Sequence, residues 1–129
     1  MSPTITALYA GLLGIFYIGL AGSVVAGRRR ARIGLGTGGD TALERSVRVH
    51  ANFSEYAPLF LLLLLVVELN GAAPGLLHGA GAIFLAARVG HALGLASSSG
   101  TSAGRLWGSA ASWLAILVLG LTALWQYVG

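Results

Sequence analysis

Between Glu44 and Pro58 the chain reads E-R-S-V-R-V-H-A-N-F-S-E-Y-A-P, and the apolar run Leu59 to Val67 follows at once. At about 100° per residue, Glu44, Arg45, Arg48, Asn52, Glu55 and Tyr56 fall in one helical sector roughly 120° wide. Two guanidiniums, two carboxylates, an amide and a phenol therefore share one face. Ionisable groups at the edge of a membrane span are costly to place, which makes them functional candidates. Such a face can hold a small zwitterionic or anionic ligand, the arginines pairing with its carboxylates and Glu55 with an ammonium group. The same pattern also suits an ion-pair seam that fixes helix packing, and spacing alone does not choose between the two.

The elements that must carry this face follow from composition. With 56% hydrophobic and 9% charged residues and a mean hydropathy of +0.81, the chain departs from the balance of a water-soluble domain. Its 129 residues have room for a single domain of four spans at about 20 residues each, an all-α integral membrane four-helix bundle. A bundle this small has little interior, which favours a site shared between subunits. The chain has no cysteine, so it offers neither a disulfide framework nor a thiol nucleophile of its own. The net charge of +4 comes from arginine alone, because there is no lysine. Arginines set between spans address lipid headgroups and anionic ligands rather than nucleic acid.

The first span is expected over 3–26, uncleaved because its arginines follow the apolar run rather than precede it. Arg28, Arg29, Arg30 and Arg32 come next, then the glycine-rich stretch 34–39, which reads as a linker and not a phosphate cradle, since no strand precedes it and no lysine follows. Thr41-Ala-Leu-Glu44 fits a capping box with Asp40 as an extra anion. The second helix should thus begin near residue 42, lie in the membrane over 53–69, and bend at Pro58. The third span is expected over 75–95 and the fourth over 106–128, separated by a polar loop, 97–104. Trp107, Trp113, Trp125 and Tyr127 suit interfacial anchors. Gly75, Gly79, Gly81 and the Gly90/Gly94 pair suit close helix contacts. Glu68 reads as a solvated helix-end residue and His78 as a packing or headgroup contact. His50, His78 and His91 lack zinc spacing, so no metal site is expected. The arginine bias puts loops one and three in the cytoplasm and both termini outside, which brings the polar stripe, the end of the third helix and the start of the fourth to one cytoplasmic rim.

The segments R-S-V-R-V-H-A-N-F-S-E-Y-A-P-L-F-L-L-L and A-R-V-G-H-A-L-G-L resemble the MAPEG family, the membrane-associated proteins in eicosanoid and glutathione metabolism. The resemblance extends over the whole chain in length, span number and loop charge, and is nearest to small bacterial members similar to microsomal glutathione transferases. It implies a homotrimer in a bacterial inner membrane, with glutathione as co-substrate held between subunits near the cytoplasmic face. By position, Arg48, Asn52, Glu55 and Tyr56 match the family's glutathione contacts on the second helix, and Arg45 belongs to the same stripe. His50, on the opposite face, would either reach a neighbour's glutathione or serve as a packing histidine. Arg88 and His91 match positions on the third helix, while Leu95 stands where several relatives carry a tyrosine.

Arg105 matches the arginine that activates the glutathione thiol in the family's conjugating enzymes, with a plain membrane-edge anchor as the alternative. A thiol of pKa about 8.5 is mostly protonated at neutral pH, and lowering it by two units takes about 2.7 kcal/mol, which a well-aimed guanidinium can supply. The implied function is glutathione transfer to, or reduction of, a lipophilic electrophile. The competing reading is a non-catalytic membrane binding or scaffold protein. A transporter fits less well, because the charge gathers at one rim instead of lining a path at mid-membrane.

Overall fold

A computed structural model describes residues 2–97 and 102–129. It contains four helices: α1 (Thr4–Ala31), α2 (Thr41–Leu69), α3 (Pro74–Ser97) and α4 (Ala103–Val128). Each is long and apolar enough to cross a membrane, as backbone groups in lipid require when they must be satisfied within their own segment. Helix α2 packs against all three others, whereas α1 touches α2 and α3 but not α4. The core runs along that middle, through Leu13, Phe60, Leu64, Leu77, Phe84 and Leu119. Phe60 and Phe84 stack with ring centroids 3.9 Å apart and planes 2° from parallel. Large apolar side chains such as Ile15, Ile18, Leu117 and Leu121 point outward. With lipid outside as apolar as the core inside, close packing and hydrogen bonds hold the helices together rather than exclusion of water.

Close packing is clearest between α3 and α4. A Cβ on Gly108 would lie 2.6 Å from the Ala87 carbonyl oxygen, and one on Gly104 would lie 2.8 Å from that of Gly90. A Cβ on Gly94 would meet the Arg105 backbone nitrogen at 2.7 Å. A Cβ on Gly90 itself would meet nothing within 4 Å, and that residue contributes only its carbonyl oxygen. Gly94 thus belongs to the expected small-residue contact, and Gly81 makes room for the Tyr9 ring. Gly75 and Gly79 do not: both face open space and border an apolar groove between α3 and α4.

The helix ends differ from the sequence expectation in instructive ways. Helix α1 continues to Ala31, taking Arg28, Arg29 and Arg30 into its last turn, where cations complement the helix dipole. Arg32 closes it in the left-handed region at φ 57°. The Arg28 guanidinium then donates to the Gly36 carbonyl at 2.8 Å, folding the glycine stretch back on the helix. Asp40, not Thr41, caps α2: its carboxylate accepts from the Leu43 amide at 2.8 Å and pairs with Arg30 at 2.8 Å. The Arg30 guanidinium, followed by the Leu43 amide, holds the Asp40 carboxyl below its ordinary range. Helix α4 starts at Ala103, with the Ser102 hydroxyl accepting from the Arg105 amide at 3.3 Å. The centre of the expected 97–104 loop lies outside the described residues.

Glu68 corrects the reading of a solvated terminus. It is buried and its two carboxylate oxygens accept from the amides of Ile5, at 2.9 Å, and Thr6, at 2.7 Å. The first turn of a helix has amides without partners, and at α1 an acidic side chain from the far end of α2 supplies them. Beside it, the Tyr9 hydroxyl lies 3.2 Å from His78 Nδ1 and 3.1 Å from the His78 carbonyl oxygen.

Candidate functional site

The polar stripe of α2 divides into two tiers. In the outer tier, Glu44, Arg45 and Arg48 line a cleft of about 190 Å³ with Thr41, Leu95 of α3 and Arg105 of α4. Arg105 reaches this cleft because it occupies the third position of α4, directly behind the Ser102 cap. Glu55 sits two turns below Arg48, and their charged atoms approach to 3.8 Å with both side chains more than half exposed. An exposed pair at that distance contributes little to stability, so either partner can turn to a ligand at small cost.

The inner tier is locked. Arg88 of α3 is 2% exposed; it donates through Nη1 to Asn52 Oδ1 and through Nη2 to the Gly108 carbonyl at 3.2 Å. Its guanidinium lies 5.3 Å from the centre of the Tyr56 ring and 5.7 Å from that of Phe84. Tyr56 Oη in turn accepts from the Trp113 indole at 3.1 Å. Among the described residues no carboxylate lies within ion-pair distance of Arg88, and its Nε has no partner. A buried cation held only by neutral oxygens and ring faces keeps most of its field, because little countercharge stands nearby.

The remaining candidates are placed differently. His91 is buried next to Gly108, where an added Cβ would lie 2.8 Å from the His91 Cβ. His50 faces α1, its ring 4.9 Å from that of Tyr17, away from the face bearing Arg48 and Glu55. The structure therefore gathers Arg45, Arg48 and Arg105 into one cleft, joins Asn52 and Tyr56 to Arg88 beneath it, and sets His50 apart. Two contributors escaped the sequence reading. Trp113 passed as a lipid anchor although it lies eight residues beyond Arg105, on the same side of α4. The Gly108 carbonyl carries no side-chain signal, although the Gly104/Gly108 spacing could have marked a close helix approach.

Taken together, a four-helix membrane chain presents an arginine-rich stripe on α2, met by arginines from α3 and α4. Comparison with known proteins gives the same kinship. The chain is 34% identical over 121 residues to the inner membrane protein YecN of Escherichia coli strain K12, an overlap of 94% of this chain and 91% of that one. The figures are identical for the inner membrane protein YecN of Escherichia coli O6:H1 strain CFT073. The pattern that defines the MAPEG family matches residues 6–125, nearly the whole length, and the chain belongs to that family.

Proposed function

We propose that the protein is a glutathione-dependent transferase or peroxidase of the inner membrane, acting on lipophilic electrophiles that arrive from the bilayer. The observation that carries this reading is the charge of the two-tier site. Four guanidiniums, those of Arg45, Arg48, Arg88 and Arg105, stand against the carboxylates of Glu44 and Glu55. The surplus of two positive charges suits a ligand with two more carboxylates than ammonium groups, or one more and a thiolate. Glutathione as its thiolate is the second case. Arg48 would take a carboxylate in bidentate fashion, Glu55 the ammonium group, and Arg105 the sulfur. Arg105 then lowers the cost of the thiolate, and the sulfur attacks the electrophilic atom while the leaving group departs with the bonding electrons. The protein contributes position and electrostatics, with no covalent nucleophile of its own.

Cleft size supports a site shared between subunits. Pockets that enclose a small molecule usually measure about 300–1,000 Å³, more than the 190 Å³ of the single-chain cleft. A homotrimer would complete it, and His50 on the far face of α2 is the residue that a neighbour could bring. A binding protein without catalysis is the second reading, favoured by Leu95, which lines the cleft without a hydroxyl. Calorimetric titration of glutathione into the detergent-solubilised protein, followed by the thiolate absorbance of the bound ligand near neutral pH, separates the possibilities. Saturable binding with thiolate absorbance supports the enzyme, binding without it supports the second reading, and no binding up to millimolar glutathione rejects the enzyme and leaves a binding or scaffold protein whose site takes a lipid.

A further inference from the structure

A second cavity, of about 390 Å³, lies between α1, α2 and α3 and shares only Arg45 with the site above. Leu20, Val49, Ala92 and Leu93 form its apolar walls, and Arg45 is its one charged member, with no carboxylate in the lining. Two serines also border it, but Ser23 donates to the Leu20 carbonyl at 2.7 Å and Ser46 to that of Ala42 at 3.3 Å. Their protons are committed to their own helices, and Arg45 carries the only formal charge in the lining. The groove is open to the surroundings, since Leu93 is 66% exposed, and around a membrane helix the surroundings are lipid. Arg29 and Arg32 are exposed at the same end of the bundle but form no part of the lining.

We propose that this groove is a lipid site, seating one acyl chain of an anionic phospholipid from the surrounding leaflet with its phosphate at Arg45. Each part of the lining removes an alternative. A small soluble anion has no use for the apolar walls, and a zwitterionic headgroup brings its own ammonium toward a cation. Basic pockets between membrane helices take anionic headgroups for this reason. Because Arg45 also borders the cleft with Arg48 and Arg105, groove and cleft share a wall, and a phosphate in one draws on a charge that also faces the other.

The test is native mass spectrometry of the purified protein in non-ionic detergent, titrated with phosphatidylglycerol or with phosphatidylcholine of the same acyl chains. The wild type should retain one phosphatidylglycerol per chain with a preference of about fivefold, the advantage one basic residue confers near a membrane surface. Arg45→Ala should erase the preference while acyl-chain binding persists. Leu93→Trp, at an exposed position where added bulk spares the fold, should fill the groove and reduce retention of both lipids. Arg29→Ala, outside the groove, should leave retention as in the wild type. Equal retention of the two lipids by the wild type overturns the proposal. So does phosphatidylglycerol retention that survives both Arg45→Ala and Leu93→Trp, or that is lost equally in Arg29→Ala, which would move the lipid to the arginine run. None of these measurements involves glutathione, so their outcome is independent of the proposed function.

Discussion

The two ends of this bundle use polar residues in opposite ways. At the Glu68 end, the carboxylate is saturated by two backbone amides, Tyr9 is fastened to His78, and Gln126 donates to the Val67 carbonyl. The charge there is consumed by structure, although Thr6 Oγ1 and Gln126 Oε1 stay buried without a partner. At the arginine end, Arg48 and Glu55 meet loosely in the open, and among the described residues Arg88 keeps a buried positive charge without a carboxylate partner. On the proposed function, that charge serves glutathione. Buried polar groups in a membrane protein are thus not uniformly functional; what separates the ends is the fate of their formal charges, the Glu68 carboxylate being closed by amides and Arg48 and Glu55 standing exposed.

The largest effect should come from the Glu68 end. Glu68→Ala strands two amides in a dry environment and should lower stability by about 3 kcal/mol, read as a clear fall in the unfolding midpoint in detergent. Glu68→Gln, which keeps an acceptor, should lose less. Glutathione affinity should be unaltered in whatever protein remains folded. A Glu68→Ala variant that melts like the wild type would erase the contrast between the ends.

At the arginine end the pattern should reverse. Arg48→Ala and Glu55→Ala should leave the unfolding midpoint close to that of the wild type, as exposed pairs do, yet each should weaken glutathione by about 2 kcal/mol, roughly thirtyfold. Wild-type affinity in both variants would reduce the stripe to a packing seam. Arg105→Ala should sharpen the contrast within the site itself. Binding should stay within a few fold while the bound thiol's pKa rises toward about 8.5 and turnover of a chlorodinitrobenzene falls. Loss of binding in proportion to turnover would place Arg105 on the ligand's carboxylates instead of its sulfur.

The smallest effect concerns the link between α1 and α2. Arg30 depresses the folded-state pKa of Asp40, so the link contributes above the unfolded value of about 3.9. Its contribution is lost as pH falls through the lower folded value. Asp40→Asn should flatten that acid limb of a stability-against-pH curve without moving the neutral plateau by much. An unchanged acid limb would show that the pair is ornamental.

Much of the architecture was legible because a membrane admits few solutions. Runs of some 20 apolar residues must be helices, and the stripe on α2 follows from its spacing alone. Glu68 was not legible, since a carboxylate beside a turn looks solvated and its partners are amides of Ile5 and Thr6, which have no side-chain signature. Thr41 looked like the cap because Thr-x-x-Glu is a recognised pattern, but Asp40 one residue earlier has both the stronger acceptor and a cation, Arg30, to hold it in place. Arg88 could be matched by family resemblance, yet its depth and its contact with Tyr56 depend on how closely the glycines bring α3 and α4 together. Trp113 reads as an anchor because tryptophans at span ends usually are, and its bond to Tyr56 joins two residues 57 apart in sequence.

The Glu68 contact spans 62 and 63 residues of chain, which gives it a meaning during synthesis. When α1 leaves the ribosome, its leading amides have no acceptor within their own helix, and the residue that will serve them has yet to be translated. At about 5–20 residues per second the delay is several seconds, during which the first turn must stay with water or headgroups. The α1–α2 hairpin is therefore the shortest nascent piece in which the start of α1 is paired by protein atoms. A chain broken in the glycine-rich connection would lose a tether and keep that pairing available. One that stops short of Glu68 would leave α1 permanently unfinished.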